Sequence, residues 1–190
     1  MKQIVLAVAL LLGPEGYFSF GDLKADHILQ GIEQKFSSQI SLKLGPKAII
    51  RENARFLLPL ENRISVFQRL KAWKNRQFGF KNKALHIILP PTIDEQHVRW
   101  LWGMANLCRP KSGISVGIAV KKSREGLSRI EASLTANSHE IGHLLGAFHN
   151  ESVVSIMNPD AIRLSIESGP LAFLKQDWQG IFRCFSKNRL

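Results

Sequence analysis

Cysteine is nearly missing from this chain of 190 residues, which carries only Cys108 and Cys184. They show no C-x-x-C spacing and so do not build a metal site between them. Their even number leaves open two reduced thiols or one bridge. Tyrosine is scarcer still, with Tyr17 alone. Low-complexity tracts are absent, and 45% hydrophobic with 22% charged residues is the balance of a folded domain. The longest apolar run, Ile4 to Leu12, is too short for a bilayer-spanning helix, which takes about 20 residues. Acidic residues are the last shortage: 15 Asp and Glu stand against 26 Lys and Arg, a formal charge of +11. The excess is spread over Lys71, Lys74, Arg76, Lys81 and Lys83, then Lys121, Lys122 and Arg124, then Arg183, Lys187 and Arg189. Trp73, Trp100, Trp102 and Trp178 do not interleave with these groups as in a nucleic-acid platform, so specific nucleic-acid reading is excluded. The basic residues read first as a solvated face, and second as a surface for sulfated glycans or other polyanions.

A chain of this length reads as a single domain, residues 1–190, able to bury a full core. Its opening is ambiguous. Lys2 followed by the run Ile4–Leu12, with small residues Ser19 and Gly21 before Asp22, fits a signal peptide. The same run fits a buried parallel strand, because such strands are continuously apolar. Residues 1–21 are therefore either a first strand and turn or a leader. Gly13, Pro14 and Gly16 mark a turn, and a helix opening at Asp22 puts Leu23, Ile28, Leu29, Ile32 and Phe36 on one face. The alternation Ile40, Leu42, Leu44 is a strand, punctuated by Gly45–Pro46 and continued by Ile49 and Ile50. An amphipathic helix from Asn62 to Lys74 carries Val66, Phe67, Leu70 and Trp73. Leu85–Leu89 is a buried strand stopped by Pro90–Pro91, and Thr92 with Glu95 caps a short helix bearing Val98, Leu101 and Trp102. An apolar strand follows from Ile114 to Val120, then a polar loop from Lys121 to Gly126. Ser128 with Glu131 then opens another helix. Alternation of this kind gives an α/β layer with no internal repeat.

That last helix carries the most informative stretch, His139-Glu140-Ile141-Gly142-His143-Leu144-Leu145-Gly146-Ala147-Phe148-His149. His139 and His143 are one turn apart, so both imidazoles leave one face and can hold one ion. Gly146 tolerates the left-handed backbone that ends a helix, which lets the chain fold back and deliver His149. Three neutral imidazoles leave one tetrahedral position of Zn²⁺ open, the mark of a catalytic site. Glu140 is turned from the pair but stays within reach of a water there. The competing reading is a core helix with fortuitously aligned histidines. The extended pattern arises by chance in fewer than roughly one window in a million at average residue usage. His27, His86 and His97 stand apart and read as surface or internally satisfied histidines.

The pattern H-E-x-x-H-x-x-G-x-x-H with Met157 in Ser155-Ile156-Met157-Asn158-Pro159 resembles the metzincin zinc endopeptidases. Cys108-Arg109-Pro110-Lys111 before Ser115-Val116-Gly117-Ile118 is similar to the segment ahead of the zinc helix in the adamalysin (reprolysin) group. Phe67 to Trp73, Ala84 to Leu89, Phe173-Leu174 and Cys184 add weaker likenesses. The short interval from His149 to Met157 is nearer to matrixins. This resemblance implies a mixed, mostly parallel twisted sheet, an active-site helix, and a small C-terminal subdomain over residues 150–190 ending in a helix. It also implies a Cys108–Cys184 bridge and hence a secreted, oxidised setting. By the same resemblance, Met157 forms an apolar floor beneath the metal. Ile114, Ser115, Val116, Gly117 and Ile118 form the edge strand that binds substrate, and Asn158 to Ile162, Pro159 among them, wall the next pocket.

The implied activity is hydrolysis of peptide bonds in protein or peptide substrates by a single monomeric chain. One Zn²⁺ lowers the pKa of a bound water, and Glu140 is the catalytic base. Nothing assigns structural Ca²⁺. Two departures stand out: Asn150 follows the third His where adamalysins carry Asp, and Pro159 takes the place of a helper tyrosine. Asn150-Glu151-Ser152 is formally a glycosylation sequon, although a glycan beside His149 would crowd the site. The alternatives are a non-catalytic zinc-binding or adhesion module of the same fold, and a basic polyanion-binding protein.

Overall fold

The computed structural model describes residues 2–12, 25–53, 63–77, 79–80, 82–89, 103–118 and 129–189. Within them run β1 (Lys2–Leu12), α1 (Ala25–Phe36), β2 (Ile40–Asn53), α2 (Arg63–Arg76) and β3 (Leu85–Leu89). Then come β4 (Gly103–Ala105), β5 (Ile114–Ile118), α3 (Arg129–Leu145), α4 (Ala161–Ser168) and α5 (Lys175–Lys187). The five strands form one sheet in the order β2-β1-β3-β5-β4. All pairings are parallel except β4 with β5. This is the mixed α/β architecture expected of the sequence. The apolar run at the chain's start takes the strand form: β1 pairs with β2 on one side and β3 on the other. Gly45 and Pro46 fall where the β1–β2 register shifts between Leu6 and Val8, a bulge at the punctuation seen in the sequence.

Period-two alternation divides the core between the two faces of the sheet. Leu6 and Val8 of β1 pack with Ile28, Ile32 and Phe36 of α1 and with Ile141, Leu144 and Leu145 of α3. Ala7 and Ala9 face the other way, with Leu85, Ile87 and Leu89 of β3 and Leu70 and Trp73 of α2. On the α3 face of β3 and β5, His86 and Ser115 replace the expected aliphatics, and both are fully buried. Lys35 of α1 pairs with Glu131 of α3 and donates to the Leu171 carbonyl at 3.1 Å, tying helix to helix over the sheet. Lys74 departs from the solvated face assigned to its stretch: it is 3% exposed and donates to the Ser112 carbonyl at 2.6 Å. Burial, and after it Lys71, lowers its pKa.

The turn after β1, Asp22 and Leu23, the Thr92–Trp102 segment, the Lys121–Gly126 loop and Ser128 lie outside the described residues. So do Tyr17 and His97. No described helix is long and apolar enough to cross a membrane.

Candidate active site

Helix α3 lies on the sheet, carries His139 and His143, and ends where Gly146 adopts φ of 115°. Gly146 donates its N–H to the carbonyls of Gly142 and His143, and Ala147 donates to Gly142 at 2.8 Å, closing the helix. A side chain at Gly146 would also meet Cys184 Cβ at 2.3 Å, so this glycine is required twice. The helix's last carbonyls are capped from another segment: Cys108 N–H donates to His143 O at 3.0 Å and Arg109 N–H to Leu144 O at 2.9 Å. Cys108 is joined to Cys184 of α5 by a disulfide, which fixes that capping segment against the C-terminal helix.

The reversal at Gly146 brings His149 back over the helix. The three Nε2 atoms then form a near-equilateral triangle: 3.1 Å between His139 and His149, 3.1 Å between His143 and His139, and 3.0 Å between His143 and His149. Two of the tautomers follow from the outer hydrogen bonds. His139 Nδ1 donates to Ile156 O at 2.7 Å and His143 Nδ1 to Ala147 O at 2.8 Å. Each Nε2 of that pair therefore carries a lone pair, and the two lone pairs face each other. Such a contact is repulsive unless a cation shares it. Burial lowers the His139 pKa to about 3, helped by repulsion from His143 and His149 and opposed by the Ile156 bond. Burial likewise lowers His143 to about 4, against the Ala147 bond. Both are neutral at pH 7 and ready as ligands. This donor set fits Zn²⁺, with the outer nitrogens of His139 and His143 anchored on carbonyls as is usual for metal-binding histidines. Among the described residues, no other group of three or more His, Cys, Asp or Glu side chains is placed to share an ion.

The triangle opens into a cleft of about 390 Å³ lined also by Glu140, Gly103, Met104 and Ala105 on one side and Pro159, Ala161 and Ile162 on the other. Glu140 is 7% exposed and lies beside His139 on the same helix. Below the ligands, Met157 is fully buried. A Cβ on Gly142 would come within 2.6 Å of its sulfur, so Met157 packs directly under the ligand-bearing turn.

Two placements differ from expectation. The strand Ile114–Ile118 is not an edge: β5 lies between β3 and β4, and Ile114, Ser115, Val116 and Gly117 are buried. None of the five lines the cleft. Among the described residues the cleft-side edge is β4, which sequence patterning missed because Gly-Met-Ala is too short to show alternation. Its neighbour β5, buried on both faces, has the character of an interior strand. Asn158 is also absent from the cleft wall: its amide donates to Ser152 O at 3.2 Å and its carbonyl accepts from Asp160 N–H at 2.8 Å.

Asp177 of α5 is a second residue that sequence reading passed over. Its carboxylate accepts from Asn150 Nδ2 at 2.6 Å, Ser155 Oγ at 2.9 Å and Leu174 N–H at 2.6 Å. Asn150 N–H donates to Met157 O at 3.1 Å, and Met157 N–H donates to Ser155 Oγ at 2.9 Å. The side-chain amide of Asn150 is thus engaged by a carboxylate of α5, not offered as a glycan acceptor.

No protein-family model matches this chain, and no curated protein does. Solved structures do resemble it. Metalloproteinase-II from Bacteroides fragilis superposes with a TM-score of 0.62 at 15% identity, over 97% of this chain and 56% of that one. The chain thus spans little more than half that protein's length. Archaemetzincin from Methanopyrus kandleri gives 0.59 at 14% identity, covering 95% and 96%. A zinc-dependent peptidase from Methanocorpusculum labreanum gives 0.51 at 14%, covering 92% and 99%. These comparisons do not support the adamalysin-type likeness or the matrixin-like Met-turn. The flanking residues that suggested them perform tasks common to many folds: Trp73 and Leu70 seal α2 onto the sheet, and Phe173 packs on Phe36 at 4.5 Å between ring centres. This chain shares its fold with archaemetzincin and zinc-peptidase structures, and within it His139, His143 and His149 converge.

Proposed function

We propose that this chain is a zinc-dependent metallopeptidase that hydrolyses peptide bonds in protein or peptide substrates. The observation that carries the reading is the convergence of three Nε2 atoms beside the buried carboxylate of Glu140 in one cleft. His139, His143 and His149 hold the ion. When bound, Zn²⁺ supplies Lewis-acid polarisation and makes a water acidic near neutral pH. With the ion in place, Glu140 would accept a proton from a water attacking the scissile carbonyl and return one to the leaving amine. An extended substrate lies along β4, which has no further strand on its outer side among the described residues, pairing backbone to backbone. Pro159, Ala161 and Ile162 receive the next side chain on an apolar wall. Met157 is the floor that keeps the ligand-bearing turn in place.

In this reading residues 1–190 work as one monomeric catalytic unit, with β1 a structural strand and residues 150–190 closing the site from below. The disulfide suits an oxidising, extracellular setting. The basic surface serves as a solvated face.

The deciding experiment is cleavage of an unstructured protein such as casein by purified protein, with and without chelator, alongside Glu140→Gln. We expect activity that chelation abolishes and added zinc restores, and none from E140Q. Turnover that persists in both the chelated protein and E140Q would end this reading.

A further inference from the structure

Two glycines face each other where the sheet meets α3. Gly103 of β4 pairs with Gly117 of β5 across the antiparallel ladder, so their missing side chains would share one face. Side chains of α3 occupy both vacant positions. A Cβ on Gly117 would lie 2.2 Å from Asn137 Oδ1, and one on Gly103 would lie 2.2 Å from Glu140 Cγ and 2.5 Å from its Cδ and Oε1. Asn137 and Glu140 are three residues apart and so project to the same side of the helix.

Asn137 has no freedom to yield. Its Nδ2 donates to Ser133 O at 2.7 Å and Ile118 O at 3.2 Å, which spends both protons. Its Oδ1 is therefore the acceptor for His86 Nε2 at 2.9 Å, and His86 Nδ1 then accepts from Ser115 Oγ at 2.9 Å. Helix α3 is thus locked to β3 and β5 one turn ahead of Glu140. Gly103 is not among the glycines with positive φ, so its backbone does not demand glycine. Space does.

We propose that Gly103 is a positioning residue for Glu140. Its missing side chain lets the edge strand approach until the strand's backbone packs against the carboxylate arm, which seats the carboxylate in one place beside the cleft. This inference rests on the role given to Glu140 above. It adds that the edge strand sets the base as well as receiving substrate.

The test is a double-variant cycle that needs neither metal nor turnover, followed by kinetics. In thermal melts of chelator-stripped protein, Gly103→Ala should lower the melting temperature while Glu140 is present. In the Glu140→Ala background the same change should leave it unchanged or raise it, because alanine loses less chain entropy than glycine on folding. If G103A alone does not fold, recovery of folding in the double variant reports the same coupling. Zinc-loaded G103A should lose at least about ten-fold in kcat, a scale typical of a misplaced general base. Its KM and zinc content should stay within about two-fold, as for any change felt only in the transition state. Gly79→Ala, where an added Cβ meets nothing within 4 Å, is the control with unchanged activity. Equal destabilisation in both backgrounds, or an unchanged kcat, would overturn the inference while leaving the proposed chemistry standing. A fully active E140Q would remove the chemistry itself.

Discussion

His86 and His139 are both buried histidines held neutral, one at a pKa of about 4 and the other at about 3, each mainly by desolvation. They do opposite work. Both ring nitrogens of His86 are spent on protein partners, Ser115 and Asn137. His139 spends one on Ile156 O and turns the other toward His143 and His149. Burial and a low pKa therefore do not distinguish a ligand from a structural histidine. An uncommitted lone pair aimed at other lone pairs does. His86 forms a serine–histidine–asparagine chain that looks catalytic on paper, yet all three residues are fully buried and none lines the cleft. Its task is to hold α3 on the sheet.

The sharpest way to break this contrast is to remove each histidine in turn. His143→Ala should lose peptide hydrolysis by more than about 10²-fold, the scale already seen when only a ligand's outer partner is lost. His86→Ala should keep zinc and measurable turnover in the cold. Comparable losses of activity from both, in folded protein, would erase the distinction.

On stability the ranking reverses. His86→Ala leaves Ser115 and Asn137 facing a cavity in the sheet, and we expect roughly 3 kcal/mol of destabilisation in urea melts of metal-free protein. His143→Ala, at a site open to the cleft, should cost about 1 kcal/mol or less under the same conditions.

Acid provides a third comparison. The pKa of His86 falls from 6.5 unfolded to about 4 folded, so between those values the unfolded chain binds more protons. The stability linked to neutral His86 is full above about pH 6.5 and drains away as pH falls toward 4, by roughly 3 kcal/mol. Metal-free H86Q should show an acid limb shallower by about that amount than metal-free wild type. Parallel limbs would place His86 in a less buried setting.

A further comparison concerns Asp177, the carboxylate that holds the residue after His149. Asp177→Asn weakens the bonds to Asn150 and Ser155, and we expect a loss of about 1–2 kcal/mol in stability. Zinc affinity should fall about ten-fold, as for an outer support. Unchanged zinc affinity would confine Asp177 to capping α5.

These contrasts also show what one chain can disclose before it is folded. The convergence of His139, His143 and His149 and the helix end at Gly146 were legible because eleven consecutive residues carry them and helical periodicity fixes their geometry. The buried face of α1, with Ile28, Leu29, Ile32 and Phe36, was legible for the same reason. Whatever depends on partners from distant segments was not. Asp177 lies 27 residues from Asn150 and His86 lies 51 from Asn137, and no local pattern links either pair. The strand that lines the cleft was missed because three residues carry no periodicity. Its neighbour β5 reads as the edge by resemblance, although strands buried on both faces lie inside a sheet. Gly103 signalled nothing by itself, because its meaning lies in the side chain that occupies its space.

The central claim is that His139, His143 and His149 together hold one ion while His86 holds none. Calorimetric titration of zinc into chelator-stripped protein at pH 7 tests it directly. We predict one ion per chain for wild type and for H86Q, and no comparable binding for H143A. Failure of the wild-type chain to bind zinc, or unimpaired binding by H143A, would contradict the account.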